Sequence, residues 1–406
     1  MLKRFADICA KRSVDSYLKQ SFPSKFDNVV VAMSSGVDSS LCAALYSSFP
    51  NVRGIYMQNW SQQADARSSE EKDTPCYERD WKDVQKVGAH LNIPVERTNF
   101  ENDYWLDVFE PMLKQYESGF TPNPDVNCNR FVKFGALRTL LDKKYGKDNY
   151  WLVTGHYARI LSHTDTLEPH LLRSYYAAKD QSYYLSQIDP TYLSRLLMPM
   201  GHLLKAEVRQ WASELSLPTA SKPDSQGICF VNQQGPFKNF LKEYLPANPG
   251  DIITVDELTH ERKVWGKHDG LWSYTIGQKI GLSMPQGDPR YKGAWYVSDK
   301  SISRNELIIV RGQNNPALYK SALTVSEFIP LGHTEEVRDS MDDAVSKGNL
   351  YIQFRSLQRP IKVTRYDWQQ SVIRLHLAED QRAIAPGQFC TVYSGPRVLG
   401  SGPISP

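Results

Sequence analysis

Residues 28–40 read Asn-Val-Val-Val-Ala-Met-Ser-Ser-Gly-Val-Asp-Ser-Ser, and this stretch decides the class of fold. Its first part, Asn28–Met33, holds an apolar run typical of a strand that is buried on both faces. Apolar residues then recur at helical spacing through Val37–Tyr46. The stretch therefore predicts a strand that turns through serines and a glycine into a helix, where backbone N–H groups and the helix dipole bind phosphate.

The flanking sequence continues this alternation of strands and helices. Strand-like runs lie at 53–57, near Val95 and at 151–154, and helix-like segments lie at 81–91, 104–116 and 134–141. Strands separated by helices predict βαβ units and a parallel sheet. After Cys229 the pattern changes to short runs rich in Val, Ile, Tyr and Trp with Gly and Pro between them, which predicts β-rich structure.

The composition excludes several classes of protein. With 406 residues, 41% of them hydrophobic and 23% charged, the chain is typical of a globular protein of two or three domains. No apolar run approaches the roughly 20 residues that a membrane span needs, so we expect no membrane insertion. Six scattered cysteines without CxxC spacing are neither a disulfide scaffold nor a zinc site. The net charge of +3 permits a polyanionic partner without requiring one.

The first 25 residues stand apart from the rest by their basic charge. This segment has six basic residues and only two acidic ones, Asp7 and Asp15. Its apolar residues Leu2, Phe5 and Cys9 recur at helical spacing. A basic amphipathic helix of this kind predicts a mitochondrial targeting segment at 1–25, and hence a protein of the matrix. An ordinary surface helix or a frayed terminus is the alternative interpretation.

The turn that follows the first strand, Ser34-Ser35-Gly36-Val37-Asp38-Ser39, is not a Walker A loop, because the GxxxxGK[ST] spacing is absent. It resembles the PP-loop of ATP pyrophosphatases, usually SGGxDS, with Ser35 in place of the first glycine. That resemblance implies cleavage of ATP between its α and β phosphates and adenylation of a carbonyl oxygen. Asp38 is placed to hold Mg²⁺ or to orient the phosphates, and helix capping is its plainer role.

Two further motifs each contain a cysteine. In the first, 121–130, two prolines precede Cys128, which we expect near a helix start where a thiolate is stabilised. Asp125, three residues earlier, is a candidate acid or base for the same substrate atom. In the second, 221–230, Gly227 gives backbone freedom beside Cys229. Taken alone, each cysteine is more often a packed thiol than a catalyst.

Taken together, the motifs resemble the tRNA-specific 2-thiouridylases, and in particular their mitochondrial branch. The resemblance runs from about residue 27 to 404. The segments that carry it are 56–60 (Tyr-Met-Gln-Asn-Trp), 123–128, 154–159 (Thr-Gly-His-Tyr-Ala-Arg), 179–182 (Lys-Asp-Gln-Ser), 227–230 (Gly-Ile-Cys-Phe), 273–278 (Ser-Tyr-Thr-Ile-Gly-Gln), 315–319 (Asn-Pro-Ala-Leu-Tyr) and 385–388 (Ala-Pro-Gly-Gln).

The resemblance implies an architecture and a set of roles. The expected segments are a targeting segment (1–25), a PP-loop catalytic α/β domain (26–229), a central β-rich domain that binds tRNA (230–312) and a C-terminal β-barrel (313–406). The implied ATP-binding residues are Ala32, Met33, Ser34, Ser35, Gly36, Val37, Asp38, Ser39, Met57 and Gly155. The implied tRNA contacts are Asn123, Pro124, Asp125, His156, Lys179, Asp180, Gln181, Gln353, Phe354 and Gln388. The implied catalytic residues are Asp125, Cys128 as the nucleophile and Cys229 as the carrier of a persulfide.

The resemblance also implies the reaction and its partners. A monomer would thiolate C2 of the wobble uridine in the tRNAs for Lys, Glu and Gln, with ATP, Mg²⁺ and sulfur from a donor supplied by a cysteine desulfurase. The family's Arg-Tyr pair in the last domain is Gln353-Phe354 here, which puts that tRNA contact in doubt, and Arg355 is a possible substitute. The alternatives are another PP-loop adenylating ligase or amidotransferase, and a tRNA-binding protein without catalysis.

Overall fold

The structure is a computed structural model of the whole chain, and it describes residues 1–61, 75–224, 237–256, 258–282, 284–285 and 287–406. Cys229 and the motif around it lie outside the described residues, as do residues 62–74. The described residues form a parallel sheet, a small antiparallel-rich sheet and a large antiparallel sheet, in that order along most of the chain.

The parallel sheet forms from the strands that the sequence predicts. Its strands are β1 (Asn28–Met33), β2 (Val52–Gln58), β3 (Val95–Asn99), β4 (Tyr150–Val153) and β7 (Leu196–Leu197). They lie in the order β3-β2-β1-β4-β7, and every neighbouring pair is parallel. The buried Val29–Met33 run of β1 has a strand on each side, which is why it is continuously apolar.

Helices cover both faces of this sheet. They are α1 (Leu2–Lys11), α2 (Val37–Tyr46), α3 (Cys76–Leu91), α4 (Glu101–Tyr104), α5 (Glu110–Glu117), α6 (Pro124–Asn127), α7 (Leu137–Tyr145) and α8 (Lys205–Glu214). π-helical turns at Trp105–Phe109 and Cys128–Ala136 join α4 to α5 and α6 to α7. One buried core contains residues of α1, α2, α3 and α8, and the other contains residues of α4, α5, α7 and the two π-helical turns.

The order of the strands reverses at β1, because β2 lies on one side of β1 and β4 lies on the other. Loops at the carboxyl ends of two such strands diverge and leave a crevice between them. In open α/β sheets ligands bind at this switch point. The turn 34–36 follows β1 and the segment 154–157 follows β4, so both border the crevice.

The rest of the chain is mainly β structure, as predicted. A short helix, α9 (Phe237–Leu241), precedes a sheet formed by β8 (Gly250–Val255), β9 (Arg262–His268), β10 (Lys279–Ile280), β11 (Trp295–Ser301) and β12 (Glu306–Arg311). The strands of the last sheet are β13 (Tyr319–Val325), β14 (Ile329–Pro330), β15 (Leu350–Gln353), β16 (Ile361–Gln369), β17 (Val372–Arg382), β18 (Phe389–Ser394) and β19 (Arg397–Pro403). A helix absent from the sequence prediction, α10 (Thr334–Ser346), packs on this sheet with its buried Val337 and Met341.

Two strands from the first half of the chain belong to the last sheet. The hairpin of β5 (Ala158–Ser162) and β6 (Pro169–Arg173) extends it, because Leu172 of β6 pairs with Arg397 of β19. Tyr183 reinforces this junction by donating a hydrogen bond to the carbonyl of Phe389, 3.1 Å away. The parallel-sheet region and the C-terminal sheet are therefore joined by strand pairing and not only by surface contact.

The basic helix predicted in the first 25 residues is α1, and it packs against the α/β region. Phe5 is 1% exposed and lies in the core beside α2 and α8. Arg4 forms an ion pair with Glu214, and Arg12 forms a two-pronged ion pair with Glu207. Bidentate pairs between arginine and a carboxylate are among the stronger ion pairs in proteins. No helix in the described part of the chain is long and apolar enough to cross a membrane.

Replacement of Phe5 tests whether α1 belongs to the core. Phe5 contacts the rings of Phe22 and His202, so Phe5→Ala should lower the free energy of unfolding by about 3 kcal/mol. Denaturant titration followed by tryptophan fluorescence measures the change. Phe26 is 72% exposed, and the matched variant Phe26→Ala should change stability by less than about 0.5 kcal/mol. Wild-type stability in Phe5→Ala would show that α1 is not part of the core.

Candidate active site

The turn between β1 and α2 has the geometry of an anion-binding loop. Gly36 is the N-cap of α2, and the hydroxyl of Ser39 accepts from the backbone N–H of Ser34 (3.1 Å) and donates to the carbonyl of Gly36 (3.1 Å). Ser35 is 4% exposed and has a φ of 61°, in the left-handed region that favours glycine. This conformation explains in physical terms why a glycine is usual where this chain has Ser35.

The segment after β4 lies directly against the first turn of α2. A Cβ on Gly155 would lie 3.0 Å from the backbone nitrogen of Ser39 and 3.2 Å from the carbonyl carbon of Asp38. A larger residue would therefore push the two backbones apart. Met57, near the end of β2, is half-buried. The predicted ATP-binding residues thus lie at or just after the carboxyl ends of three neighbouring strands, β2, β1 and β4.

Asp38 is held by two residues from other parts of the chain. Lys205, the first residue of α8, donates to both carboxylate oxygens of Asp38 at 2.8 Å, and the hydroxyl of Tyr157 donates to one of them at 2.7 Å. Lys205 is largely buried. The carboxylate of Asp38 is therefore already matched by an ammonium group at hydrogen-bonding distance.

A second carboxylate, that of Asp224, forms ion pairs with three basic side chains. Lys205 and Lys179 lie 2.8 Å from it and Arg209 lies 2.6 Å from it. Burial opposes its ionisation, but the hydrogen bonds from Lys179 and Lys205 outweigh burial and lower the pKa of Asp224 to about 2. Asp38, Lys205 and Asp224 thus form a continuous ionic chain along one side of the loop.

The motif of the first cysteine contains the start of a helix, α6, which begins at Pro124. The side chain of Asn123 caps α6 by accepting from the backbone N–H of Asp125 (3.1 Å). Cys128 is 4% exposed and packs in the same core as Ala32 of β1. It lies one turn beyond the first residue of α6, Pro124, and so near the helix start, as expected. The helix dipole acts most strongly on the first turn, so it favours a thiolate at Cys128 less than it would at the first residues of α6.

The carboxyl group of Asp125 lies on the same short helix. Burial raises the pKa of Asp125 above the ordinary aspartate value, and the charge of Lys133 partly offsets that rise. A carboxylate with a raised pKa is a better proton acceptor than an ordinary aspartate. The structure therefore gives Asp125 the property that an acid or base needs.

Side-chain contacts connect this helix with the segment after β4. The rings of Phe134 and His156 lie 5.6 Å apart, and a ring nitrogen of His156 is 2.9 Å from the hydroxyl of Thr154. Burial, together with the charge of Lys133, lowers the pKa of His156 to about 3, so the imidazole is neutral at physiological pH. The neighbouring Tyr157 is the residue that binds Asp38. The loop and the helix of Cys128 therefore flank the same strand end.

The residues predicted to contact tRNA have different environments. Lys179 is bound to Asp224, and the side chain of Gln181 accepts from the backbone N–H of Tyr157 (3.0 Å). Asp180 is 6% exposed, and its carboxylate accepts from the backbone N–H groups of Ser174 and Ser182. The side chain of Asp180 thus stabilises the backbone of the segment that contains it.

In the last domain, the two residues that replace the family's Arg-Tyr pair face inward. Gln353 and Phe354 are 4% and 1% exposed, and Phe354 packs in the core of the C-terminal sheet. Arg355 is exposed and donates to the carbonyl of Ala383 (2.6 Å). Gln388 donates to the carbonyl of Thr121 (2.6 Å), two residues before Asn123, so it contacts the chain that enters α6.

Sequence reasoning missed the residues that order the loop. Lys205 begins α8 in a stretch of ordinary composition, and no local pattern identifies it. Tyr157 and Asp224 lie within motifs that we quoted, but neither was assigned a role. A buried lysine beside two carboxylates is a contact between distant segments, and only the fold reveals it.

Three family models match the chain one after another. One described as "tRNA methyl transferase HUP domain" matches residues 27–233, one described as "tRNA methyl transferase PRC-barrel domain" matches 238–311, and one described as "Aminomethyltransferase beta-barrel domain" matches 329–404. Their order agrees with the predicted fold, in which a PP-loop parallel-sheet domain precedes a small β-rich domain and a C-terminal β-barrel.

Curated relatives match along the whole chain. It is 57% identical over 413 residues to "Mitochondrial tRNA-specific 2-thiouridylase 1" of Saccharomyces cerevisiae, covering 100% of this chain and 98% of the relative. It is 38% identical to the protein of the same name in Schizosaccharomyces pombe, covering 97% and 94%. It is also 38% identical to "tRNA-specific 2-thiouridylase MnmA" of Ligilactobacillus salivarius, covering 93% and 94%.

One solved structure with a similar fold region is more distant. The U34-tRNA thiolase NcsA of Methanococcus maripaludis is 15% identical to this chain, and the match covers 60% of this chain and 70% of NcsA. Its TM-score is 0.34, which is too low to support a functional comparison. The family models and the curated relatives are decisive, because they agree along nearly the full length. This chain belongs to the family of tRNA-specific 2-thiouridylases.

Proposed function

We propose that this protein uses ATP to replace the C2 oxygen of the wobble uridine with sulfur in the tRNAs for Lys, Glu and Gln. The observation that carries the proposal is the position of the helix of Asp125 and Cys128 beside the strand ends that hold the PP-loop. An adenylating loop and a thiol next to one crevice suit a reaction that activates a carbonyl and then delivers sulfur. A ligase that acts on small molecules would need no such thiol.

The loop and its surroundings suit the phosphates of ATP. The N–H groups at the start of α2 and the hydroxyl of Ser34 supply donors, and Gly155 lets the backbone after β4 lie close to the first turn of α2. Both oxygens of Asp38 accept from Lys205, so the carboxylate is poorly suited to binding Mg²⁺ directly. We therefore assign Mg²⁺ to the phosphates that it accompanies and give Asp38 and Lys205 the role of fixing the start of α2.

Asp125 acts as the base in the activation step. Its carboxylate takes the N3 proton of the uracil, which increases the negative charge on the C2 oxygen. That oxygen then attacks the α-phosphorus of ATP, and pyrophosphate leaves. The raised pKa of Asp125 makes this proton transfer more favourable than it is for an ordinary aspartate.

Cys128 acts in the sulfur-transfer step. The donor's sulfur arrives as a persulfide on Cys229, which lies outside the described residues. The Cys128 thiolate attacks the inner sulfur of that persulfide and forms a Cys128–Cys229 disulfide, and hydrosulfide leaves. The hydrosulfide adds to C2 of the adenylated uridine, and AMP departs with the original oxygen. A reductant then returns both thiols to their reduced form.

The supporting partners and the compartment follow from the same assignment. We propose a cysteine-desulfurase-derived persulfide donor, a monomeric enzyme and a mitochondrial location, which the name of the yeast relative supports. Any targeting function of residues 1–25 would act before folding, because α1 packs into the core with Phe5 and Cys9 in the folded protein.

Thiolation of a transcript of mitochondrial tRNA-Lys tests the function. With ATP, Mg²⁺ and a persulfide donor, the wild type should produce a band that is retarded on a mercury-affinity gel. Cys128→Ser should lower the yield by at least about a hundredfold, because the nucleophile of the sulfur-transfer step is lost. Release of AMP measured in parallel reports whether the activation step survives.

The matched control is Cys76→Ser, which removes an exposed thiol on α3 and should thiolate like the wild type. Wild-type protein that binds tRNA and ATP without producing a retarded band would refute the function and favour a binding protein without catalysis. ATP turnover that is independent of tRNA would favour a ligase acting on a small molecule.

The pH profile tests the role of Asp125. As a base it works ionised, so thiolation under kcat/KM conditions should fall as the pH drops through a pKa above the ordinary aspartate value. Lys133→Met removes the charge that lowers this pKa, so the acid limb should move to higher pH. Asp125→Asn should lose the limb together with most of the activity. An acid limb that is identical in wild type and Lys133→Met would rule out Asp125 as the titrating base.

A further inference from the structure

Ser35 adopts a conformation that is unfavourable for its own residue type. Its φ of 61° lies in the left-handed region, where a Cβ crowds the backbone and glycine is favoured. It also lies in the middle of the phosphate-binding turn, between Ser34 and Gly36, where the peptide orientation sets the direction of the N–H groups. Something outside the turn must hold this residue if the turn is to be ready for ATP.

The hydroxyl of Ser35 is fixed by two side chains. It donates to the carboxylate of Asp80 at 2.7 Å, and it accepts from the ammonium group of Lys222 at 2.9 Å. Lys222 also donates to Asp80 (3.0 Å) and to Asp83 (2.9 Å), both on α3. A glycine has no hydroxyl, so these contacts to residue 35 exist only because this chain has a serine there.

Ion pairs with two carboxylates hold the ammonium group of Lys222 in this cluster. It faces two carboxylates, and the second of them, Asp83, also pairs with Lys86 at 3.1 Å. Burial opposes the charge on Lys222, but the hydrogen bonds to Asp83 and Asp80 raise its pKa. The ammonium group is therefore occupied as a structural cation and is not simply available to a phosphate.

The segment of Lys222 contacts the loop at two points. Lys222 donates a hydrogen bond to Ser35. Asp224 and Asp38 form ion pairs with the same lysine, Lys205. Ser35 precedes α2 and Asp38 is in its first turn, so the two contacts flank the N-cap of the helix. A single short segment thus restrains the phosphate-binding turn from both ends.

We propose that Asp80 and Lys222 are positioning residues for ATP, which hold Ser35 in the left-handed conformation that glycine adopts unaided. The inference rests on the proposed use of ATP by this loop. It assigns to these side chains a role that acts through Ser35 and involves no contact with the nucleotide. Without them, Ser35 relaxes towards negative φ, and the turn has to be reordered when ATP binds.

A double-mutant cycle between positions 35 and 222 tests the proposal. The variants are Ser35→Gly, Lys222→Met and the combination of both, and the measurement is the Kd for ATP by isothermal titration calorimetry. Lys222→Met alone should weaken ATP binding by about tenfold, which corresponds to about 1.4 kcal/mol. In the Ser35→Gly background the same substitution should weaken binding by less than about threefold, because glycine needs no anchor.

Matched variants separate this role from general effects. Lys86→Met removes the other lysine that binds Asp83 but does not reach Ser35, so its Kd should stay at the wild-type value. Asp80→Asn should repeat the behaviour of Lys222→Met, including its suppression by Ser35→Gly, and it replaces that variant if Lys222→Met fails to fold. A KM for ATP that rises without a matching fall in kcat is the expected kinetic signature.

Two results would overturn the inference. An equal loss of affinity from Lys222→Met in the wild-type and Ser35→Gly backgrounds would mean that Lys222 acts on the nucleotide directly. An unchanged Kd in both backgrounds would mean that Ser35 needs no anchor. Because the readout is equilibrium binding, it is independent of thiolation, and failure of the wild type to bind ATP would refute the proposed function itself.

Discussion

The ammonium group of Lys205 lies between the carboxylates of Asp38 and Asp224, and the geometry of the site depends on this contact. It joins the start of α2, the start of α8 and the segment that leads towards Cys229. The start of α2 is far in sequence from the other two segments. Because the lysine is largely buried, its loss would take away the ammonium group that pairs with Asp38, and a charge without its partner is costly in a protein interior.

The C-terminal sheet also holds a segment of the site in place, namely the chain that enters the helix of Cys128. The backbone N–H of Thr121 donates to the carbonyl of Pro386, and the side chain of Gln388 donates to the carbonyl of Thr121. A Cβ on Gly387 would lie 2.9 Å from the Cβ of Phe120, so a glycine is needed for this approach. The last domain therefore fixes the chain just before Asn123 caps α6. A barrel that is remote in sequence thus helps to position Asp125 and Cys128.

The sequence predicted the parts of the fold that are set locally. The β1 run and the α2 helix follow from apolar periodicity, and their observed bounds are those predicted. The pairing of β6 with β19, the docking of α1 and the contacts of Lys205 depend on residues far apart in sequence, so no local pattern predicts them. Ser35 is intermediate, because the sequence shows the departure from glycine, whereas only the structure shows the Lys222 and Asp80 contacts that accompany it.

In the proposed reaction, this loop adenylates the C2 oxygen of the wobble uridine before sulfur replaces it. The most direct test uses a tRNA with ¹⁸O at that single position and analyses the products by mass spectrometry. AMP should contain one ¹⁸O atom for each 2-thiouridine formed, because the activated oxygen leaves with the adenylate. Unlabelled AMP, with the ¹⁸O found in water or orthophosphate, would contradict it.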